Sequence, residues 1–268
     1  MLIHPTAIID SSVKLGENVK VGSYAIIEQD VEIGDGCQLH AHAIIKRNTR
    51  IGQRNIIHEH AIIGGDPQDL SYNGDQTSLV IGDDNVFREC VTVHRATKRE
   101  HPTTIGNSCF LMAYSHVAHD CQLEDNIIFA NNATLGGHVK VGKGAFISGS
   151  TAVHQFCQVG AYSMLSGVTP VSLDALPFMI IAGNPARTIG LNLVGLKRAD
   201  FNKEEISHIK QAFQILFLSG KPLSIALEEL KTIDSVRVKI LIDFINHSKR
   251  GFTHYRKKQG SHQNTIRG

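Results

Sequence analysis

Aliphatic residues recur at every sixth position from the start of the chain: Ile3, Ile9, Leu15, Val21, Ile27, Ile33, Leu39, Ile45, Ile51, Ile57 and Ile63. Four places after each stands a residue that is mostly small, such as Ala7, Ala25, Cys37, Ala43 and Ala61, and glycine directly follows the aliphatic at Gly16, Gly22, Gly34, Gly52 and Gly64. The rhythm pauses at "GDPQDLSYNGDQTS" and returns at Ile81, Phe87 and Val93. It pauses again at "HRATKREHPTT", then runs unbroken from Ile105 through Leu111, Val117, Leu123 and onward to Val171.

A period of six matches neither the 3.6 of a helix nor the alternation of an ordinary strand. It is the hexapeptide repeat of a parallel β-helix, in which each hexad makes one flat side and a corner of a triangular coil. The aliphatic points inward, the small residue packs beside it near the corner, and glycine is expected to relieve the backbone at the turns. Three hexads complete a coil, and successive coils stack about 4.8 Å apart by strand pairing. The pattern therefore predicts a mainly β protein: a left-handed parallel β-helix over residues 1–190 with two inserted loops, 66–78 and 94–104.

After "GLNLVGLKR" the period changes to that of helices. Asn202 with Glu205 three residues later forms a capping-box pattern ahead of Ile206, Ile209, Phe213, Leu216 and Phe217. Gly220 ends this helix, Pro222 opens a second, and "SVRVKILIDFINHSK" makes a third, so residues 191–252 are expected to form a C-terminal α-helical domain. The flat apolar sides of such a solenoid are commonly buried between copies, and a homotrimer is expected.

Composition sharpens this picture. With 42% hydrophobic residues, 6% aromatic and no Trp, the core must be built from repeated aliphatic layers. A net charge of +2 gives no reason to expect nucleic-acid binding. The basic excess gathers in residues 253–268, which lack apolar periodicity and are expected to be a disordered tail. No signal-peptide pattern and no apolar run of about 18 residues is present, so no membrane insertion and a cytoplasmic location are expected. With the hexads beginning at residue 3, no N-terminal uridine-binding domain is expected. Four of the five cysteines, Cys37, Cys109, Cys121 and Cys157, fall on the small inward position, and Cys90 one place before it; all five are expected as unpaired thiols.

Candidate chemistry lies among fifteen histidines. Val117, Leu135 and Val153 are separated by whole coils, so His119, His138 and His154, which follow them closely, share one side, with His116 at the preceding turn. Asp120 adjoins His119, and Gly136 and Gly137 bring bare backbone nearby. A histidine base, an acid that fixes its tautomer and backbone donors form a general-base site with an oxyanion hole. Clustered histidines are also the ligand set of zinc hydratases built on this repeat, and that reading stands beside the first. His40 with His58, and His42 with His60, are expected to be surface or subunit-interface ladders without an adjoining acid.

The strings "PQDL", "VTVHR", "SHVAHDC", "ANNATLGGHV", "TAVHQFC" and "GLNLVGLKR" resemble the UDP-N-acetylglucosamine acyltransferases that begin lipid A synthesis in Gram-negative bacteria, in order and with both insertions in place from Leu2 to about Phe252. The resemblance implies transfer of an (R)-3-hydroxyacyl group from acyl carrier protein to the 3-hydroxyl of UDP-N-acetylglucosamine, with no metal or cofactor. It implies His119 as general base, Asp120 as its orienting acid and the Gly137 N–H as oxyanion donor. It further implies substrate contacts from Gln68, Asp69, His116, His138, His154, Gln155, Asn192 and Arg198. An acyl-chain ruler is implied at Met164 and Gly167, where the glycine leaves room for a long chain. Two matched positions depart from the family pattern: Ser71 stands where a Lys is usual and Val194 where an acid is usual. These departures raise a paralogue acting on a related sugar, such as a 3-amino analogue, as the alternative acceptor. Acyl carrier protein is acidic, and Lys46, Arg47, Arg50, Arg54, Arg88, Arg95, Lys98 and Arg99 are candidate docking charges.

Overall fold

The computed structural model describes residues 2–255. Twenty-eight strands of two to five residues wind into a solenoid whose sides are three sheets of 11, 9 and 8 strands. Pairing through the solenoid is parallel, one coil on the next: Ile3 opposes Val21, Ile9 opposes Ile27 and Leu15 opposes Ile33. We call the three sides face A (beginning at Leu2–Ile3), face B (Ile8–Ile9) and face C (Lys14–Leu15). The sixth-position aliphatics and the small residues four places on fill the interior, with Ile27, Ile45, Ile57, Phe87, Leu111 and Leu135 all at 0–1% exposure. Their removal from water is the main driving term for the fold.

The corners are made differently from the sequence expectation. The third residue after most of the inward aliphatics takes a left-handed conformation, as at Tyr24 (φ 57°), His42 (61°), Asp120 (59°) and His138 (61°). Most of these corner residues are not glycine. The glycine just after the aliphatic instead permits close stacking: a Cβ on Gly22 would come within 2.8 Å of the Ala41 backbone nitrogen in the next coil.

Both insertions leave the solenoid at the corner between faces B and C, in successive coils. The first joins the strands Ile62–Gly65 and Leu79–Ile81, and the second joins Thr92–His94 and Thr103–Ile105. His94, Thr103 and Thr104 are therefore strand residues, and the free span of the second loop is 95–102, shorter than the expected 94–104. The next coil carries Asp120 at this same corner, beneath both loops.

At the far end, Met179–Ala182 pairs parallel with Met164–Leu165 and antiparallel with Arg187–Leu191. Four helices follow: α1 (Leu193–Arg198), α2 (Lys203–Phe217), α3 (Leu223–Leu230) and α4 (Val236–His247). The capping box of α2 forms as read, with Asn202 and Glu205 exchanging bonds at 2.9 Å each. Helix α1 is not among the three helices the sequence predicts. Residues 253–255, expected in the disordered tail, are instead built into the fold. The Thr253 N–H donates to Asp174 O (3.0 Å), Thr188 Oγ1 bonds Thr253, and the Tyr255 ring packs on Phe213 and Phe217. The remaining tail, 256–268, lies outside the described residues.

The cysteines are unpaired thiols. Four are buried, and burial pushes the Cys109 and Cys157 thiols up to about 11 and that of Cys121 to about 12. Cys90 differs, standing half-buried on a corner with φ 59°.

Candidate active site

The corner between faces B and C, under the two insertions, gathers most of the polar groups singled out in the sequence. His119 is two residues past inward Val117 and Asp120 three past it, so the corner turn itself aims both side chains into one space. His119 Nδ1 lies 2.7 Å from Asp120 Oδ2. The ring is almost wholly buried and so is the carboxylate, each side chain at 9% exposure. Burial would raise the Asp120 carboxyl, but hydrogen bonds from His119 and from the Thr97 backbone and hydroxyl outweigh it and hold the group below the usual carboxylate range.

With Nδ1–H donating to the Asp120 carboxylate, the lone pair of His119 sits on Nε2. That nitrogen faces Asp69 Oδ2 of the first insertion at 3.9 Å. Asp69 is itself braced by Ser71, whose backbone N–H (2.8 Å) and hydroxyl (2.7 Å) donate to Oδ1; the hydroxyl first and then the N–H hold its carboxyl low. Ser71, which departs from the family pattern, is thus the partner of Asp69.

The coil below supplies Gly137. A Cβ there would come within 2.5 Å of His119 Cε1 and 2.7 Å of Nε2, so only glycine lets the backbone lie against the ring. The Gly137 carbonyl accepts from Phe156 N–H (3.0 Å), whereas its own N–H makes no hydrogen bond among the described residues. His138, one corner below Asp120, sets its ring edge-on to His119 at 5.3 Å and stacks on Phe156 at 4.5 Å with planes 9° apart. Its Nε2 is 3.5 Å from Asp120 Oδ2. His154 and Gln155 are exposed one coil further, where His154 Nδ1 meets the Gln155 carbonyl at 3.0 Å.

Above the dyad, His116 Nδ1 bonds Thr92 Oγ1 at 2.7 Å, and burial, with His119 adding to it, keeps this ring's pKa below that of a free histidine. Its neighbour His94 packs edge-on at 4.8 Å. Burial lowers His94 to about 4, with the nearby histidines contributing, so it is neutral at physiological pH. His94, Thr97 and Phe156 were not singled out from the sequence. The string "VTVHR" held His94 in plain view, but nothing in the six-residue period marks the strand residue at which the period breaks as part of the site.

Other expected residues lie elsewhere. Gln68 is exposed on the first insertion beside Asp69. Met164 is on face A and Gly167 on the corner between faces A and B. Asn192 caps α1 through Gly195 N–H and donates to Tyr162 O (2.9 Å) on the corner between faces C and A, while Arg198 is exposed at the end of that helix. A single chain does not bring Met164, Gly167, Asn192 or Arg198 to His119. Arg95, expected as a docking charge, is 0% exposed: its guanidinium donates to Gly64 O (2.6 Å) and pairs with Asp66, binding the two insertions together. Arg54 is exposed and Arg88 half-buried, and both are paired, with Asp84 and Glu89.

The His40–His58 ladder does have an acid beside it. Glu59 is 3.2 Å from His40 Nδ1 and 3.6 Å from His58 Nδ1. This trio and His119–Asp120–His138 are the groups among the described residues whose donor atoms all lie within 4.8 Å of one another, as a metal site requires.

Residues 174–253 match the family described as UDP N-acetylglucosamine O-acyltransferase, domain 2, and residues 30–65 and 102–137 match the bacterial transferase hexapeptide repeat. The acyl-[acyl-carrier-protein]–UDP-N-acetylglucosamine O-acyltransferase of Alkalilimnicola ehrlichii is 52% identical over 252 residues, covering 93% of this chain and 98% of that protein. Its namesake from Janthinobacterium sp. (strain Marseille) is 48% identical over 257 residues, with 93% and 98% covered. Among solved structures, a UDP-N-acetylglucosamine acyltransferase from Bacteroides fragilis superposes with a TM-score of 0.91 at 37% identity, covering 94% of this chain and 99% of that one. One from Campylobacter jejuni gives 0.90 at 39%, covering 95% and 100%.

Proposed function

The chain belongs to the UDP-N-acetylglucosamine O-acyltransferase family, and from that membership we propose how its corner site performs the reaction. It is an acyltransferase that moves an acyl group from acyl carrier protein to UDP-N-acetylglucosamine. In our reading the donor carries an (R)-3-hydroxyacyl thioester, the acceptor is the sugar 3-hydroxyl, and the product enters lipid A synthesis.

The observation that carries the mechanism is the 2.7 Å contact between His119 Nδ1 and Asp120 Oδ2. With Nδ1–H donated to the carboxylate, Nε2 takes the proton of the sugar hydroxyl as its oxygen forms a bond to the thioester carbonyl carbon. The carbonyl oxygen becomes an oxyanion, and the Gly137 N–H, which has no hydrogen-bond partner among the described residues, is the donor that would receive it. As the C–S bond breaks, His119 returns the proton to the departing thiolate, and Asp120 stabilises the imidazolium in between. Asp69 approaches the same nitrogen from the first insertion, and His138, flat on Phe156, offers the acceptor sugar a fixed polar edge. Gln68, His116, His154 and Gln155 line the approaches to this space.

We further propose that the working form is a homotrimer, acting in the cytoplasm without membrane insertion. Outward residues of face A (Ile56, Val86, Phe110, Ile128, Phe146) and of face B (Ile26, Ile44, Ile62) form apolar stripes, whereas face C shows Lys14, Glu32, Arg50 and Lys140. Sheets with two apolar outer faces call for partners. A neighbouring copy would also supply Asn192, Arg198, Met164 and Gly167, which one chain holds away from its own His119. No helix among the described residues is long and apolar enough to cross a membrane.

The deciding test is mass spectrometry of UDP-N-acetylglucosamine incubated with 3-hydroxyacyl carrier protein and either the native protein or His119→Ala. A product heavier by one hydroxyacyl group, lost in the variant, is expected. Undiminished product from the variant would remove His119 from its role.

A further inference from the structure

The reading of His119 as base leaves open what holds Asp120 in place. Asp120 sits on a corner, in a left-handed backbone conformation, where its short side chain has two histidines within reach: His119 at 2.7 Å and His138 at 3.5 Å, both from Oδ2. A carboxylate that turned to His138 would release His119 Nδ1 and with it the tautomer that exposes the lone pair on Nε2.

We infer that Thr97, on the second insertion, is the positioning residue that fixes this choice. Its backbone N–H donates to Asp120 Oδ1 at 3.0 Å and its hydroxyl to Oδ2 at 2.9 Å, so both carboxylate oxygens are gripped from one residue. The other end of the same loop grips the Asp120 backbone, whose N–H donates to Thr103 Oγ1 at 2.8 Å. The loop that delivers Thr97 is anchored two residues earlier by the buried Arg95. Thr97 is itself 8% exposed, so its bonds to Asp120 compete little with water. Oδ2 receives the Thr97 hydroxyl and the His119 ring together. Two donors converging on one oxygen set the plane of the carboxylate, and that plane sets the ring. Thr97 touches neither substrate nor reacting atom in this account; it acts through Asp120 on His119.

The inference rests on His119 being the base, and the test separates the two. Thr97→Val keeps the side-chain shape and removes the hydroxyl, while Thr97→Ser keeps the hydroxyl and removes the methyl. Thr97→Val is expected to lower kcat about tenfold with the KM of both substrates and the melting temperature little changed, and Thr97→Ser to restore near-native turnover. In an Asp120→Asn background, adding Thr97→Val should cost nothing more, because its target is already gone. The opposite pattern, with Thr97→Ser impaired and Thr97→Val native, would make the residue a packing element and overturn the proposal. An additional tenfold loss in the Asp120→Asn background would do the same. If His119→Ala stays active, the base reading falls and this inference with it. If that variant is dead and Thr97→Val is silent in kcat, the Thr97 role alone falls.

Discussion

Gly137 and His119 are in contact across one coil step, backbone against imidazole, with no room for a methyl group between them. The ring of the base therefore rests on a neighbour that has no side chain, and its position is set from below by peptide backbone and from the side by Asp120. Gly137→Ala is expected to push the imidazole out of line, lowering kcat by about 100-fold while the protein still folds, since the added methyl meets a side chain that can move. Steady-state kinetics beside a thermal melt check this. A fully active alanine variant would show that the ring has slack.

His94 makes stability depend on pH. Its pKa in the fold, about 4, lies below the free-histidine value of 6.5, so the folded protein resists taking up a proton that the unfolded chain accepts readily. Below 6.5 the unfolded state binds more protons, and stability falls as pH drops from about 6.5 to about 4. The full penalty is about 3 kcal/mol once pH is below both values. Urea midpoints measured at pH 7 and pH 4.5 should therefore differ more for the native protein than for His94→Gln. Equal differences would show that other groups govern acid sensitivity.

Arg95 is a structural clasp between the insertions. Arg95→Met should cost about 2 kcal/mol, because the buried Gly64 carbonyl loses its side-chain donor while Asp66, at 58% side-chain exposure, simply returns to water. The same change should let a protease into the 66–78 loop, detectable as a new early fragment. Unchanged melting and unchanged cleavage would leave the clasp without a role.

The solenoid was legible because its signal is repeated in every coil: Ile3, Ile9 and Leu15 state the same rule that Val153 and Val159 repeat much later. The dyad was legible for the same reason, since counting coils puts His119 and Gly137 one step apart. The rest was hidden in segments where counting stops. Thr97 lies in a loop with no period, and its bond to Asp120 depends on how that loop folds back. Arg95 looked like one more surface charge, because its burial depends on Asp66, in the other insertion. The placement of Asn192 was equally unreadable, for its side chain also donates to the Tyr162 carbonyl, 30 residues away.

The reversed strand Arg187–Leu191 has a consequence for how the protein behaves in a crowd. A stack of identical coils is in principle a growing rod, because the last coil offers its open hydrogen-bonding edge as a template for the first coil of another molecule. Here the strand laid on Met179–Ala182 runs backwards, and its outer edge is already taken, the Thr188 N–H donating to the His254 carbonyl at 3.0 Å. On this face the stack is closed in the way a chain stopper ends a polymer.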